Sequence, residues 1–240
     1  AWGIAQTLYN NGANLAFTYQ GDAFKKRIEP LAKKINCDKY LINCDVLNQD
    51  ELENAFKIIK DDWGNIDFIV HSIAHSDKNE LNGKYINTSR ENFLNTLEIS
   101  CFSLTNIVRV FEPIINDNGS ILTLTYGGSE KVIPNYNVMG VAKAALESSV
   151  RYLASDLGER GIRINALSAG MMRTLAGSAV KNARDMFKFA EKHKPLMEIP
   201  LTLENIGSSG LYLLSDLSNG VTGEIHYFDQ GYNIIGIPKT

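Results

Sequence analysis

Two tyrosines and a lysine stand close together in the middle of the chain. The run Thr123-Leu-Thr-Tyr126-Gly-Gly128 is followed by Ile133-Pro-Asn-Tyr136-Asn-Val-Met-Gly140-Val-Ala-Lys143. Reducing a polarised double bond needs a hydrogen-bond donor to the oxygen that becomes negative, and a cation near that donor. A tyrosine hydroxyl with a lysine ammonium beside it meets both needs. If a helix runs from about Tyr136, the seven-residue step to Lys143 is about two turns, and both side chains leave one face. The spacing alone equally fits an ordinary half-buried aromatic at a helix start and a solvated lysine.

The rest of the chain must position these groups. Short apolar runs rich in β-branched residues at 15–19, 40–46, 66–74, 120–126, 162–169 and 224–229 predict strands, and helical patterns at 2–11, 23–35, 49–62, 89–115, 136–158 and 204–214 separate them. That alternation predicts a parallel sheet in a doubly wound, Rossmann-like α/β/α architecture, a single domain over 1–240. The first strand and its glycine-rich phosphate loop are expected to precede Ala1, which would then lie beside the cofactor phosphates at a helix start. Ligands of such sheets sit beyond the carboxyl ends of the strands, so Gln20, Asp45, Ser72 and Gly170 are the positions to inspect. The stretch 171–200 is weakly patterned and reads as a functional lid.

Composition narrows the class. A net charge of -3 with scattered basic residues gives no nucleic-acid surface and no electrostatic membrane anchor. No apolar run approaches the roughly 20 residues of a spanning helix. Cys37, Cys44 and Cys101 form no CxxC pair, which fits a reducing cytoplasm. His71, His75, His193 and His226 show no ligand spacing, so no metal site is expected, and the absence of a Gly-x-Ser-x-Gly elbow speaks against an acyl hydrolase.

The block Ile133-Pro-Asn-Tyr136-Asn-Val-Met-Gly140-x-Ala-Lys143 resembles the bacterial NADH-dependent enoyl-acyl-carrier-protein reductases, a divergent branch of the short-chain dehydrogenases. Ordinary members of that superfamily carry the lysine four residues after the tyrosine, where this chain has Gly140. Further matching pieces are Ala1-x-Gly-Ile-Ala5, Phe17-Thr-Tyr-Gln20, Cys44-Asp-Val46, His71-Ser-Ile73, Ser168-Ala-Gly170 and Arg173-Thr-Leu-Ala176. The resemblance implies that Tyr136 donates to the thioester carbonyl, Lys143 holds the nicotinamide ribose, and Tyr126 lines the acyl pocket with Ala74 and Ser76. It implies NADH bound by Ala1, Gln20, Asp45, Val46, Ser72, Ile73, Ala169 and Gly170, with Met172, Arg173, Thr174, Leu175 and Ala176 over the nicotinamide and phosphates. It also implies an acyl carrier protein as partner, met by Lys181 and Arg184, and a homotetramer.

Gln20 is neutral and followed by Gly21 and Asp22, which favours NADH over NADPH; Lys25, Lys26 and Arg27 pull the other way. The chain departs from the family at Met171 and Met172, at Ala74 and His75 beside the pocket mouth, and at Gln230, where glycine is frequent and the turn is expected to differ. Two other functions compete: a 3-oxoacyl thioester reductase of the same superfamily, which Gly140 opposes, and a dinucleotide-sensing module needing neither Tyr136 nor Lys143.

Overall fold

The computed structural model describes residues 1–172 and 183–237. Among the described residues six strands run β1 Phe17–Tyr19, β2 Leu41–Asn43, β3 Ile66–His71, β4 Ile115–Thr125, β5 Arg163–Ala169 and β6 Ile225–Phe228, and every pairing between them is parallel. They form a β1-β2 pair and a four-stranded sheet of order β3-β4-β5-β6. Phe17 of β1 and Phe68 and Val70 of β3 pack against the same apolar cluster, which centres on Ile4, Leu122 and Leu167, so the two pieces share a core. The helices are α1 Trp2–Asn10, α2 Gly21–Lys34, α3 Gln49–Trp63, α4 Arg90–Leu97, α5 Ser103–Phe111, α6 Val138–Leu157, α7 Ala183–His193 and α8 Leu203–Leu214. This is the Rossmann-like architecture the alternation predicted.

Three expectations need correction. The stretch 89–115 is not one helix: a π-turn, Glu98–Phe102, separates α4 from α5, with the Ser103 amide bonded back to the Glu98 carbonyl. Its cause is in the sequence. Asn92, Thr96, Ser100, Leu104 and Val108 recur every four residues and all are buried, whereas a straight α-helix drifts about 40° at each such step. One looped-out residue restores the phase. Second, β4 starts at Ile115, five residues early, because Asn116–Gly119 bulge out with Asn118 at a left-handed φ of 64° before pairing resumes. Third, 171–200 is not all loop. Its α7 carries the charged Arg184, Lys188 and Lys192 on an exposed face, while Phe187 and Ala190 face inward, a pattern too short to stand out beside its flanks. Gln230 adopts a left-handed φ of 61° ahead of Gly231, a backbone of the kind glycine favours.

Candidate active site

Tyr136 is not in α6. Asn135 and Asn137 adopt φ of 59° and 37°, non-helical values that asparagine tolerates better than most residues, and α6 starts only at Val138. The tyrosine therefore projects from a turn bracketed by two left-handed asparagines, not from the helix face that its spacing to Lys143 suggested. Its ring meets that of Tyr126 edge-on, with centroids 5.3 Å apart and planes at 77°. Burial pushes the Tyr136 hydroxyl well above the ordinary phenol range, and the neighbouring Tyr126 and Glu147 act in the same direction. Burial likewise raises Tyr126 to about 12. Both are neutral phenols at neutral pH, and so donors.

Lys143 lies on the buried face of α6, only 5% exposed, and its ammonium donates to the Leu124 carbonyl at 2.8 Å. Burial draws it down to about 8, while Cys101 and Glu147 act upward. Gly128 and Gly140 explain why the lysine is not four residues after Tyr136. A Cβ on Gly140 would fall 2.6 Å from the Gly128 carbonyl oxygen, and one on Gly128 would fall 2.5 Å from the Tyr136 ring. No side chain fits at 140 without moving the Gly127–Ser129 turn against Tyr136. Gly140→Ala should accordingly lower Tm by several degrees, through roughly 1–3 kcal/mol of overpacking, and slow turnover as Tyr136 shifts. Wild-type melting together with wild-type rate would refute the close approach.

His71 ends β3 beneath this group, fully buried. Ser103 donates to the Ile99 carbonyl at 2.6 Å, so its oxygen accepts from His71 Nε2 at 2.9 Å, and His71 Nδ1 accepts from Thr123 at 2.8 Å. Burial, with Lys143 nearby, lowers the imidazole to about 3. It is a fixed neutral strut. Beyond it Ser72, Ile73 and Ala74 leave the strand as loop rather than continuing it to Ala74 as the apolar run suggested. Ser100 of the π-turn holds that loop, exchanging hydrogen bonds with the His75 amide at 2.9 Å and its carbonyl at 3.0 Å. Ser76, half-buried, donates to Asn92 at 3.2 Å and accepts from the Thr96 hydroxyl at 2.9 Å.

The far wall is built by β1 and β2. Gln20 donates to Asp45 Oδ2 at 2.8 Å, and Asp45 Oδ1 accepts from the Leu47 amide at 3.0 Å. Glu51 in the first turn of α3, which Asn48 caps, reaches back to the Asp45 amide at 2.7 Å and to Asn43 at 2.8 Å. Val46 follows in the same turn. Ala1 precedes α1, its carbonyl accepting from the Ala5 amide at 3.0 Å. On the other side Ala169 closes β5, and Gly170 follows with its amide bonded to the Phe228 carbonyl at 3.0 Å. A cavity of about 200 Å³ opens there, lined by Tyr126, Ala169, Gly170, Phe187, Leu201 and Tyr232 among others. Arg173, Thr174, Leu175, Ala176 and Lys181 lie outside the described residues.

The sequence reading missed Thr125, Glu147, Ser100 and Ser103. Glu147 had a signal: with Met139, Ala142, Lys143, Leu146 and Val150 it falls on the inward face of α6. Among the described residues no group of histidine, cysteine and acidic side chains could hold a metal ion, and no helix is long and apolar enough to cross a membrane.

A parallel α/β sheet whose strand ends carry acceptors on one side and a half-buried tyrosine with a buried lysine on the other is the layout of a dinucleotide-binding oxidoreductase. The enoyl-(acyl carrier protein) reductase family matches residues 1–233, and the chain belongs to that family. It is 57% identical over 99% of its length, and 88% of the relative's, to the enoyl-[acyl-carrier-protein] reductase [NADH] 2 of Rhizobium meliloti. The crystal structure of FabI from Candidatus Liberibacter asiaticus superposes with a TM-score of 0.95 at 53% identity, covering 99% of this chain and 92% of the other. The enoyl-(acyl-carrier-protein) reductase from Anaplasma phagocytophilum, solved in complex with NAD, gives 0.92 at 46% identity, covering 99% and 88%.

Proposed function

We propose that this chain reduces the 2,3 double bond of trans-2-enoyl thioesters carried on acyl carrier protein, using NADH, as one catalytic domain over residues 1–240. The observation that carries the reading is the grouping of the half-buried Tyr136 and Tyr126 with the buried Lys143 at the carboxyl end of β4, with the lysine seven residues after Tyr136. Bound NADH supplies the hydride that reaches the β-carbon. Tyr136, held neutral by burial, donates to the thioester carbonyl and stabilises the enolate oxygen as charge develops there. Lys143 holds the nicotinamide ribose hydroxyls, and Tyr126 walls the acyl pocket with Ala74 and Ser76.

The strand ends suit this cofactor. Each Asp45 oxygen, already accepting one hydrogen bond, keeps a second lone pair with which to accept from the adenine amino group, and Gln20, whose amide nitrogen donates to Asp45, has its carbonyl oxygen left to accept from a ribose hydroxyl. Neither offers a cation to a 2′-phosphate, which supports NADH over NADPH. Val46, Ser72, Ile73, Ala169, Gly170 and Met172 complete the described walls, and Ala1 stands beside the phosphates. Arg173, Thr174, Leu175 and Ala176 would add contacts to the nicotinamide and phosphates. The segment 171–200 gates the acyl chain, and Lys181 with the exposed row Arg184, Lys188 and Lys192 of α7 docks the acidic carrier protein. We further infer a homotetramer in the cytoplasm.

The test follows the loss of nicotinamide absorbance with crotonyl and acetoacetyl thioesters in parallel. Oxidation of NADH by the crotonyl substrate, with little by the acetoacetyl one and a much higher KM for NADPH, is expected. Activity confined to the keto substrate would transfer the chain to carbonyl reduction.

A further inference from the structure

Glu147 is a carboxylate sealed inside the protein that the proposed chemistry does not use. It is 6% exposed and lies one helical turn beyond Lys143 on the same inward face of α6. Among the described residues no Lys, Arg or His nitrogen lies within 4.0 Å of it, and the Thr125 hydroxyl donates to its Oε1 at 2.5 Å. Thr125 is the last residue of β4, between Leu124, whose carbonyl accepts from Lys143, and Tyr126. Two side chains of α6 thus grip two consecutive residues of the strand that presents Tyr126. Burying a carboxylate without a contacting cation is costly, and a glutamine could have kept the threonine bond without that cost.

We propose that Glu147 is a positioning residue: anchored by Thr125, its negative charge keeps the buried side chain of Lys143 as an ammonium and joins α6 to the strand end bearing Tyr126. The inference rests on the proposed role of Lys143 in holding the ribose hydroxyls, which calls for a protonated donor. Besides Glu147, the groups that act on or feel Lys143 are Cys101 from the π-turn and His71 from the end of β3, while Tyr136 and, from β6, Tyr227 feel Glu147. His71 is a neutral ring tied at both nitrogens, and a cysteine acts on an ammonium only as thiolate, so the carboxylate is the group suited to the task. At neutral pH the balance is close, because burial alone draws Lys143 toward the middle of the working range.

The direct measurement is the pH titration of the Lys143 Cε resonance in the cofactor-free protein, labelled with ¹³C-lysine and assigned by its loss in Lys143→Arg. Glu147→Gln keeps an acceptor for Thr125 and removes the charge. Its Lys143 midpoint should fall by about one pH unit, as expected for a unit charge one helical turn away in a medium of intermediate dielectric. The alkaline limb of kcat/KM for NADH should move down with it, at unchanged kcat on the acid side. Glu147→Asp should restore most of the shift, and Cys101→Ser should leave the midpoint in place. An unmoved midpoint in Glu147→Gln overturns the proposal, as does an equal shift in Cys101→Ser. If Glu147→Gln does not fold, Thr125→Val carries the test: releasing the carboxylate should lower the midpoint by about half a unit, and no movement counts against the idea. Because the resonance is read without cofactor or substrate, failure of the enoyl reductase reading in the turnover assay would remain a separate result.

Discussion

Tyr136→Phe is expected to lower kcat for reduction of an enoyl thioester by about 10²-fold while leaving the Kd for NADH within about twofold. The ring that meets Tyr126 edge-on survives the substitution, and so does the turn between Asn135 and Asn137, because neither depends on the hydroxyl. What is lost is one donor in a water-poor site, and such a donor matters most when the carbonyl oxygen carries charge. Since burial keeps the phenol protonated, activity should show no dependence on phenol ionisation below about pH 9. Single-turnover rates and nicotinamide fluorescence titrations on both proteins check this. A rate within threefold of wild type would remove Tyr136 from the chemistry and leave it a wall of the pocket.

Lys143→Met should act at the other end of the Michaelis complex. We expect kcat/KM for NADH to fall by about 10³-fold, chiefly through KM, since methionine fills similar space but cannot hold a ribose hydroxyl. The same change leaves the Leu124 carbonyl without its donor and Glu147 without a neighbouring ammonium, so Tm should also drop, by the few degrees that about 1–3 kcal/mol represents in a chain of this size. Calorimetry beside steady-state kinetics separates the two losses. A fall in stability with NADH binding intact would make Lys143 a buried strut and Tyr136 the sole survivor of the pair.

The layered parallel sheet was legible because alternating apolar runs and helical patterns leave few topologies open, and Tyr136, Tyr126 and Lys143 were legible because a specific motif carried them. The way Tyr136 reaches the site was not. A seven-residue spacing looks like two helical turns, and only the left-handed asparagines on either side reveal that the helix has yet to begin. Glu147 and Lys143 could have been read as a pair, since both interrupt an otherwise apolar inward face. The hydrogen bonds of Ser100 and Ser103 could not, because they depend on an extra residue in a helix, which alters phase without altering composition. Asp45 and Gln20 were each placed at a strand end from sequence, but their mutual hydrogen bond depends on how β1 and β2 pair.

That extra residue divides one long helical run into two halves with separate duties. Ahead of it Asn92 and Thr96, and within it Ser100, hold the loop that forms the pocket mouth; behind it, Leu104, Val108 and Phe111 belong to the apolar core. A continuous helix would lock the two together, so any change at the mouth would be transmitted to the core as a rotation. With the joint at Glu98–Phe102, the mouth can be lengthened, shortened or given new side chains by adjusting the half-turn that faces it, and the packing behind stays in register. The π-turn thus marks the point along one unbroken helical run where the backbone passes from holding the loop that carries Ala74 and His75 to packing the interior.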